Sequence, residues 1–131
     1  MKLLLDTHIL LWALLEPERL KRRVAVELRN PKNEIWLSPI SVWETVILAE
    51  KGRIVLQPNP TAWIKSVLKR LPFHEARINH EIAIQSRTLK IKQQDPADRF
   101  LAATAMVYQL TLVTADETFF RCRDIPMLRN R

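Results

Sequence analysis

The sequence predicts an α/β fold, in which helices pack against a mostly parallel β-sheet. Two observations predict it. Short apolar segments alternate along the chain with longer segments of helical periodicity. The 131 residues are also enough to bury the core of one domain, 1–131, and their apolar and charged fractions of 47% and 27% are typical of folded chains.

Short apolar or β-branched segments are predicted to form the strands. These segments are 3–5, 35–37, 73–78, 110–113 and 125–128. The first is an apolar run that ends at Asp6, which is typical of a buried parallel strand. The segment 110–113 has the clearest β-branched character.

Segments with helical periodicity separate the strands. They are 9–15, 17–29, 41–51, 60–71, 80–89 and 96–109. Ser41 is predicted to cap the third helix, with Glu44 three residues later, and Gly52 to end it. Asp95 is predicted to cap the last one, with Pro96 in its first turn. The connector 53–59 is predicted to contain a short extended piece at 54–56.

Composition excludes several classes of protein. The single glycine, Gly52, rules out glycine-rich phosphate loops, so side chains or metal ions would have to handle any phosphate. The single cysteine, Cys122, cannot form an internal disulfide, and a reducing cytoplasm is the default compartment. No apolar run approaches the roughly 20 residues of a membrane span, so no membrane partner is predicted. The formal charge of +7 favours an anionic partner.

Four carboxylates are predicted to meet at one edge of the sheet. Asp6 and Asp116 follow strands, and Glu44 and Asp98 lie in the first turns of helices. Ligands of open parallel sheets bind outside the carboxyl ends of the strands. Clustered carboxylates repel one another unless cations neutralise them, and Mg²⁺ and Mn²⁺ prefer carboxylate oxygens. Each of the four could instead be a helix cap or a partner of a helix dipole.

Four motifs in order along the chain resemble those of a known family. They read DTH at 6–8, SPISVWE at 38–44, DPADRFLAATA at 95–105 and LVTAD at 112–116. In order and spacing they resemble the PIN-domain family, and most of all the VapC-type toxins of type II toxin–antitoxin pairs. The resemblance spans nearly the whole chain.

The resemblance implies a three-layer α/β/α sandwich and an endoribonuclease that depends on Mg²⁺ or Mn²⁺. Water activated by the metal would hydrolyse an RNA phosphodiester bond. The implied catalytic and metal-binding residues are Asp6, Glu44, Asp98 and Asp116. The implied supporting residues are Thr7, Ser41 and Thr114. The implied partners are the RNA substrate, a cognate antitoxin and a second copy in a homodimer or a toxin–antitoxin hetero-oligomer.

Some functional assignments stay open at this stage. Arg99 could contact a substrate phosphate or pair with Asp95 or Asp98, and His8 could touch substrate or be a packed histidine. Basic clusters at 19–23, 65–70 and 90–92 are solvated helix faces or a phosphate-binding surface. Two other functions fit the pattern. One is a PIN-type nuclease acting on DNA or structured nucleic acid outside a toxin pair, and the other is a noncatalytic binding module.

Overall fold

The central sheet of the protein is parallel throughout its described part. A computed structural model describes residues 1–92 and 94–131. The strands lie in the order β3-β2-β1-β4-β5, and each neighbouring pair is parallel. The strands are β1 (Lys2–Leu5), β2 (Glu34–Leu37), β3 (His74–Glu75), β4 (Thr111–Thr114) and β5 (Met127–Arg129). The predicted sheet is thus confirmed.

Helices connect the strands. They are α1 (Thr7–Leu15), α2 (Arg22–Arg29), α3 (Pro39–Glu50), α4 (Pro60–Arg70), α5 (His80–Thr88) and α6 (Pro96–Tyr108). Single 3-10 turns lie at Pro17–Arg19 and Glu117–Phe119, so the helix predicted over 17–29 is in fact a 3-10 turn followed by α2. Among the described residues, no helix is long and apolar enough to cross a membrane.

Two hydrophobic cores lie on opposite faces of the sheet. Successive side chains of a strand point to opposite faces, and Leu4 packs with Ala102 of α6 in one core. Leu3 and Leu5 pack with Ile9 of α1 in the other. All five side chains are buried. Helices therefore cover both faces, which confirms the predicted three-layer α/β/α sandwich.

The strand order reverses between β1 and β4. From the central strand β1 the chain builds β2 and β3 on one side, and then returns to place β4 and β5 on the other. A crevice opens at such a switch point, outside the carboxyl ends of the two strands. Asp6 follows β1 and Asp116 lies two residues beyond β4, so both aspartates border this crevice.

The start of α3 differs from the prediction. The helix begins at Pro39, and its N-cap is Ser38, whose Oγ accepts a hydrogen bond of 3.1 Å from the Ile40 amide. Ser41 lies inside the helix and is buried, so the predicted Ser41 cap is wrong. The physical reason is that proline suits the first helical position, which moves the cap to the residue before Pro39.

Gly52 ends α3 as predicted. Its φ of 72° is left-handed, a conformation that glycine adopts without a steric penalty. The Gly52 amide donates to the Ala49 carbonyl and the Arg53 amide to the Leu48 carbonyl, which together form a Schellman motif. The extended piece predicted at 54–56 is wrong. That connector has no strand pairing, and Leu56 anchors it by a buried side chain.

Candidate active site

Asp6 is held at the end of β1 from two sides. It is the N-cap of α1, and its Oδ1 accepts a hydrogen bond of 2.8 Å from the Ile9 amide. Its Oδ2 accepts a short hydrogen bond from the Thr114 hydroxyl. Burial raises the pKa of Asp6, and the two hydrogen bonds lower it. Because burial has the larger effect, the pKa lies above its ordinary value of 3.8. The capping interpretation of Asp6 is therefore correct, but only one of its two oxygens serves the cap.

Thr114 connects two of the predicted carboxylates. Its hydroxyl donates to Asp6 and accepts a hydrogen bond of 3.0 Å from the Asp116 amide. The threonine side chain is buried at the last position of β4. It therefore sets the position of Asp6 and of the Asp116 backbone relative to each other.

Asp116 caps the 3-10 turn that follows β4. Its Oδ1 accepts hydrogen bonds from the Thr118 amide at 3.0 Å and from the Thr118 hydroxyl at 2.6 Å. Asp is a preferred N-cap residue, so the cap itself was predictable from the sequence. The added hydrogen bond from the Thr118 hydroxyl has no signal in the local sequence.

Glu44 is held by Thr7. The Thr7 hydroxyl donates to Glu44 Oε1 at 2.6 Å across 37 residues of sequence. Because α3 starts at Pro39, Glu44 lies in the second turn of the helix and not in the first. The capping-box interpretation of Glu44 is wrong for the same reason. Its carboxylate reaches the first residue of α1, directly beside Asp6.

Asp98 is the carboxyl group whose pKa is raised by the charges of the neighbouring carboxylates. It lies in the first turn of α6 and is half-buried. Burial, followed by the negative charges of Asp95, Glu44, Asp116 and Asp6, raises the pKa of Asp98 from 3.8 to about 7. Charges act this strongly only over short distances. Hydrogen bonds through Thr114 relate Asp6 to Asp116, and Thr7 holds Glu44 next to Asp6. The charges of these three carboxylates all act on Asp98.

Asp95 adds a fifth negative charge. As predicted, it is the N-cap of α6, and its Oδ1 accepts a hydrogen bond of 2.9 Å from the Ala97 amide. Of the four charges that raise the pKa of Asp98, that of Asp95 contributes most. The sequence predicts only the cap, because the effect of Asp95 on Asp98 arises from the folded start of α6.

The donor set suits a hard divalent cation. Within residues 1–92 and 94–131, no three His, Cys, Asp or Glu side chains form a ready-made metal cage. Mg²⁺ does not need one, because it keeps several waters and is usually bound through one or two carboxylates and substrate phosphates. The neighbouring carboxylates raise the pKa of Asp98, and a divalent cation would offset this repulsion between like charges. The residues therefore fit Mg²⁺ or Mn²⁺.

Ser41 offers a further polar group beside the cluster. It lies one helical turn before Glu44, on the same side of α3. Its side chain is fully buried, and its hydroxyl has no hydrogen-bond partner in the described part of the chain. An unpaired buried hydroxyl is costly, so this group is available to a carboxylate or a water.

Arg99 and His8 differ in their surroundings. The buried Arg99 guanidinium donates to the carbonyls of Ser86 at 2.7 Å, Leu89 at 2.8 Å and Ile91 at 3.3 Å. It thus holds the end of α5 and the residues that follow it. A contact of Arg99 with a substrate phosphate, one of the two alternatives left open above, stays a prediction. His8 is exposed, and its ring lies 6.0 Å from that of Trp12. Its charge lowers the pKa of Asp6, so it lies near the cluster.

Comparisons with known proteins agree with this architecture. The sequence model of the PIN domain family matches residues 3–124. Ribonuclease VapC22 of Mycobacterium tuberculosis is 30% identical over 116 residues, which cover 86% of this chain and 85% of that protein.

Solved structures share the fold. DNA-bound VapBC from Salmonella typhimurium has a TM-score of 0.74 at 18% identity, covering all of this chain and 99% of the other. VapBC2 from Rickettsia felis, bound to a fragment of promoter DNA, has a TM-score of 0.72 at 18% identity, covering 98% of each chain. The family match and the VapC22 relative confirm the resemblance found in the motifs, and the chain belongs to the PIN domain family.

Proposed function

We propose that this chain is a VapC-type endoribonuclease that depends on Mg²⁺ or Mn²⁺, with residues 1–131 forming one nuclease domain. The observation that carries the proposal is the set of hydrogen bonds by which Thr114 relates Asp6 to Asp116 and Thr7 holds Glu44, at the switch point of the sheet. The charges of these carboxylates act on Asp98. The relative VapC22, a ribonuclease at 30% identity, supports RNA as the substrate.

The metal ligands would be the four acidic residues. Asp6 and Asp98 would hold the ion most directly, and Glu44 and Asp116 would complete the site. When bound, the ion lowers the pKa of water and neutralises charge on the phosphodiester oxygens. Threonine hydroxyls orient the carboxylates, as outer partners of metal ligands commonly do.

The reaction proposed is hydrolysis of a phosphodiester bond. The oxygen of a water molecule attacks phosphorus, the bond from phosphorus to the leaving oxygen breaks, and the leaving oxygen gains a proton. A carboxylate of the cluster accepts the proton of the attacking water.

A groove beside α1 supports an antitoxin partner. Leu11, Trp12 and Leu15 of α1 and Leu48 of α3 contribute to a groove of about 230 Å³. Glu16, Arg19 and Arg53 also line it, so the groove combines apolar and charged groups. Exposed apolar side chains such as Leu15 in a groove are typical of partner surfaces. The Salmonella typhimurium and Rickettsia felis neighbours are VapBC structures. A cognate antitoxin in this groove is part of the proposal, and a homodimer or hetero-oligomer stays a prediction.

The test is cleavage of end-labelled RNA by the purified full chain. We expect cleavage with Mg²⁺ or Mn²⁺, none with EDTA, and none by Asp6→Asn. The matched control is Asp124→Asn, because Asp124 is exposed and lies outside the cluster. Cleavage by Asp6→Asn at the wild-type rate would contradict the assigned site. A parallel assay on single-stranded DNA separates a ribonuclease from the alternative DNA nuclease.

A further inference from the structure

We propose that two adjoining cationic depressions, which begin beside Asp116, form a track that binds the phosphate backbone of single-stranded RNA away from the scissile bond. The proposal rests on the ribonuclease function above and specifies where the rest of the substrate lies. We call the two depressions the outer and the inner depression, by their position relative to the acidic cluster.

The outer depression lies at the β5 edge of the sheet and has a volume of about 500 Å³. Arginines supply its charged groups. They are Arg23, Arg123, Arg129 and Arg131. None of its described lining residues is Asp or Glu. A concave surface with charges of one sign focuses the electrostatic field and attracts ions of the opposite sign.

Phe120 holds two of these arginines in place. The guanidinium carbon of Arg129 lies 4.8 Å from the centre of the Phe120 ring, and that of Arg131 lies 5.0 Å from it. Arg129 Nη2 also donates to the Phe120 carbonyl at 3.0 Å. Guanidiniums that are ordered before the ligand arrives lose less entropy on binding. The outer depression is therefore a prepared anion site.

The inner depression connects the outer one to the acidic cluster. Lys90, Lys92 and Arg121 line it, and its volume is about 170 Å³. It shares Cys122 with the outer depression, so the two lie side by side. Thr118 also lines it, and both the amide and the hydroxyl of Thr118 bond to Asp116. A chain lying along the two depressions therefore leads to the acidic cluster.

The arrangement favours a polyanion over a single phosphate. Seven cationic side chains line the two adjoining depressions, and none of their described lining residues is Asp or Glu. One phosphate group would need only part of this set, whereas a nucleic-acid backbone presents a charge at every nucleotide. Grooves that follow a single strand in this way use cations to track its backbone. Arg129 and Arg131 lie beyond residue 124, where the family match ends.

The test neutralises one exposed cation in each depression. The variant is Arg121→Gln/Arg123→Gln, and the matched control is Lys32→Gln/Lys51→Gln. The control removes the same charge from exposed positions outside both depressions and outside the basic clusters 19–23, 65–70 and 90–92. Binding of a fluorescent single-stranded RNA of about 16 nucleotides is measured by anisotropy, in EDTA, over a range of salt concentrations. Thermal unfolding establishes that both variants are folded.

We expect the track variant to bind RNA about 5- to 20-fold more weakly at low salt. The slope of log affinity against log salt should fall in magnitude by about 1.4, or about 0.7 for each lost phosphate contact on a single strand. The control should stay within about twofold of the wild type. Equal losses in variant and control, or no loss in the variant, would overturn the proposal.

Two further arms separate other occupants and the proposed function. Inorganic phosphate is added as a competitor, at about the same total concentration of negative charge as the RNA. Full displacement of the RNA would overturn the proposal and indicate a site for a single phosphate. Weakened antitoxin binding with unchanged RNA affinity would assign the surface to the antitoxin and also overturn it. Because binding is measured without metal, a wild type that binds RNA through the track but cleaves none would retain the track and contradict only the ribonuclease function.

Discussion

Asn in place of Asp98 is expected to stabilise the metal-free protein while it abolishes cleavage. The substitution keeps the shape of the side chain and removes a charge that lies among four other carboxylates. Sites that gather like charges sacrifice stability for function. The cost of this cluster should therefore be measurable as a gain in stability when one charge is removed.

The magnitude follows from the pKa of Asp98. A pKa of about 7 in the folded protein, against an ordinary 3.8, corresponds to an upper limit of about 4 kcal/mol. Asp98 is half-buried, and solvent screening reduces such energies, so we expect about 1–2 kcal/mol. For a chain of this length that gain raises Tm by about 3–8 °C.

The stability difference should depend on pH with a definite sign. The folded-state pKa of Asp98 is raised, so the folded protein holds this proton more tightly than the unfolded chain does. The wild type therefore loses stability relative to Asp98→Asn as the pH rises from about 4 to about 7, and the difference is constant above that. Below pH 4 both forms are neutral at this position and should be equally stable.

The assay is urea or thermal unfolding at a series of pH values, in EDTA and then with Mg²⁺ or Mn²⁺. Asp124→Asn is the control for the chemical change. A divalent ion should stabilise the wild type by linkage and stabilise Asp98→Asn much less. A variant that is less stable than the wild type at pH 8 in EDTA, or that cleaves RNA at the wild-type rate, would refute the reasoning.

Three further substitutions test individual contacts. Thr114→Val leaves a buried oxygen of Asp6 without its hydrogen bond, so urea unfolding should show that the free energy of unfolding falls by about 1–3 kcal/mol. In the RNA cleavage assay, kcat/KM should fall by about 10- to 100-fold, because Asp6 is no longer held in position. Thr7→Val removes the hydroxyl that holds Glu44, so isothermal titration calorimetry should find metal binding about 10- to 100-fold weaker while the fold is retained. An unaltered metal affinity would contradict the role of Thr7 in positioning Glu44. Arg99→Lys cannot satisfy three carbonyls with the geometry of a guanidinium, so urea unfolding should show a loss of about 1–3 kcal/mol, and unchanged stability would contradict the structural role.

Local pattern was sufficient to predict much of the fold. The apolar strands β1 and β4 alternate with helices, and alternation in a chain of this size leaves few arrangements other than a parallel sheet covered on both faces. The ends of those strands then place Asp6 and Asp116 at one edge. Gly52 was predictable because the left-handed residue after a helix has a strong glycine preference.

The incorrect prediction of the α3 cap arose because two residues suited one position. Ser38 and Ser41 are both capable caps, and Ser41 also has Glu44 at capping-box spacing. The choice between them depends on the path of the chain as it leaves β2, which places Pro39 in the first turn. Arg99 also suits two roles in the sequence, because a charged residue beside Asp98 suggests an ion pair or a ligand, and its hydrogen bonds to the carbonyls at the end of α5 are evident only in the folded structure.

The sequence by itself determined the elements, their order and which acidic residues could meet, because hydrophobic periodicity, caps and strand ends are local properties. Only the tertiary structure decided which hydroxyl holds which carboxylate and how burial alters the pKa of Asp98. Thr114 and Asp6 are 108 residues apart and meet because β4 lies beside β1. The cationic track likewise joins residues of α2, the segment after α5 and the β5 region. Such contacts depend on strand order and on desolvation, which no local pattern specifies.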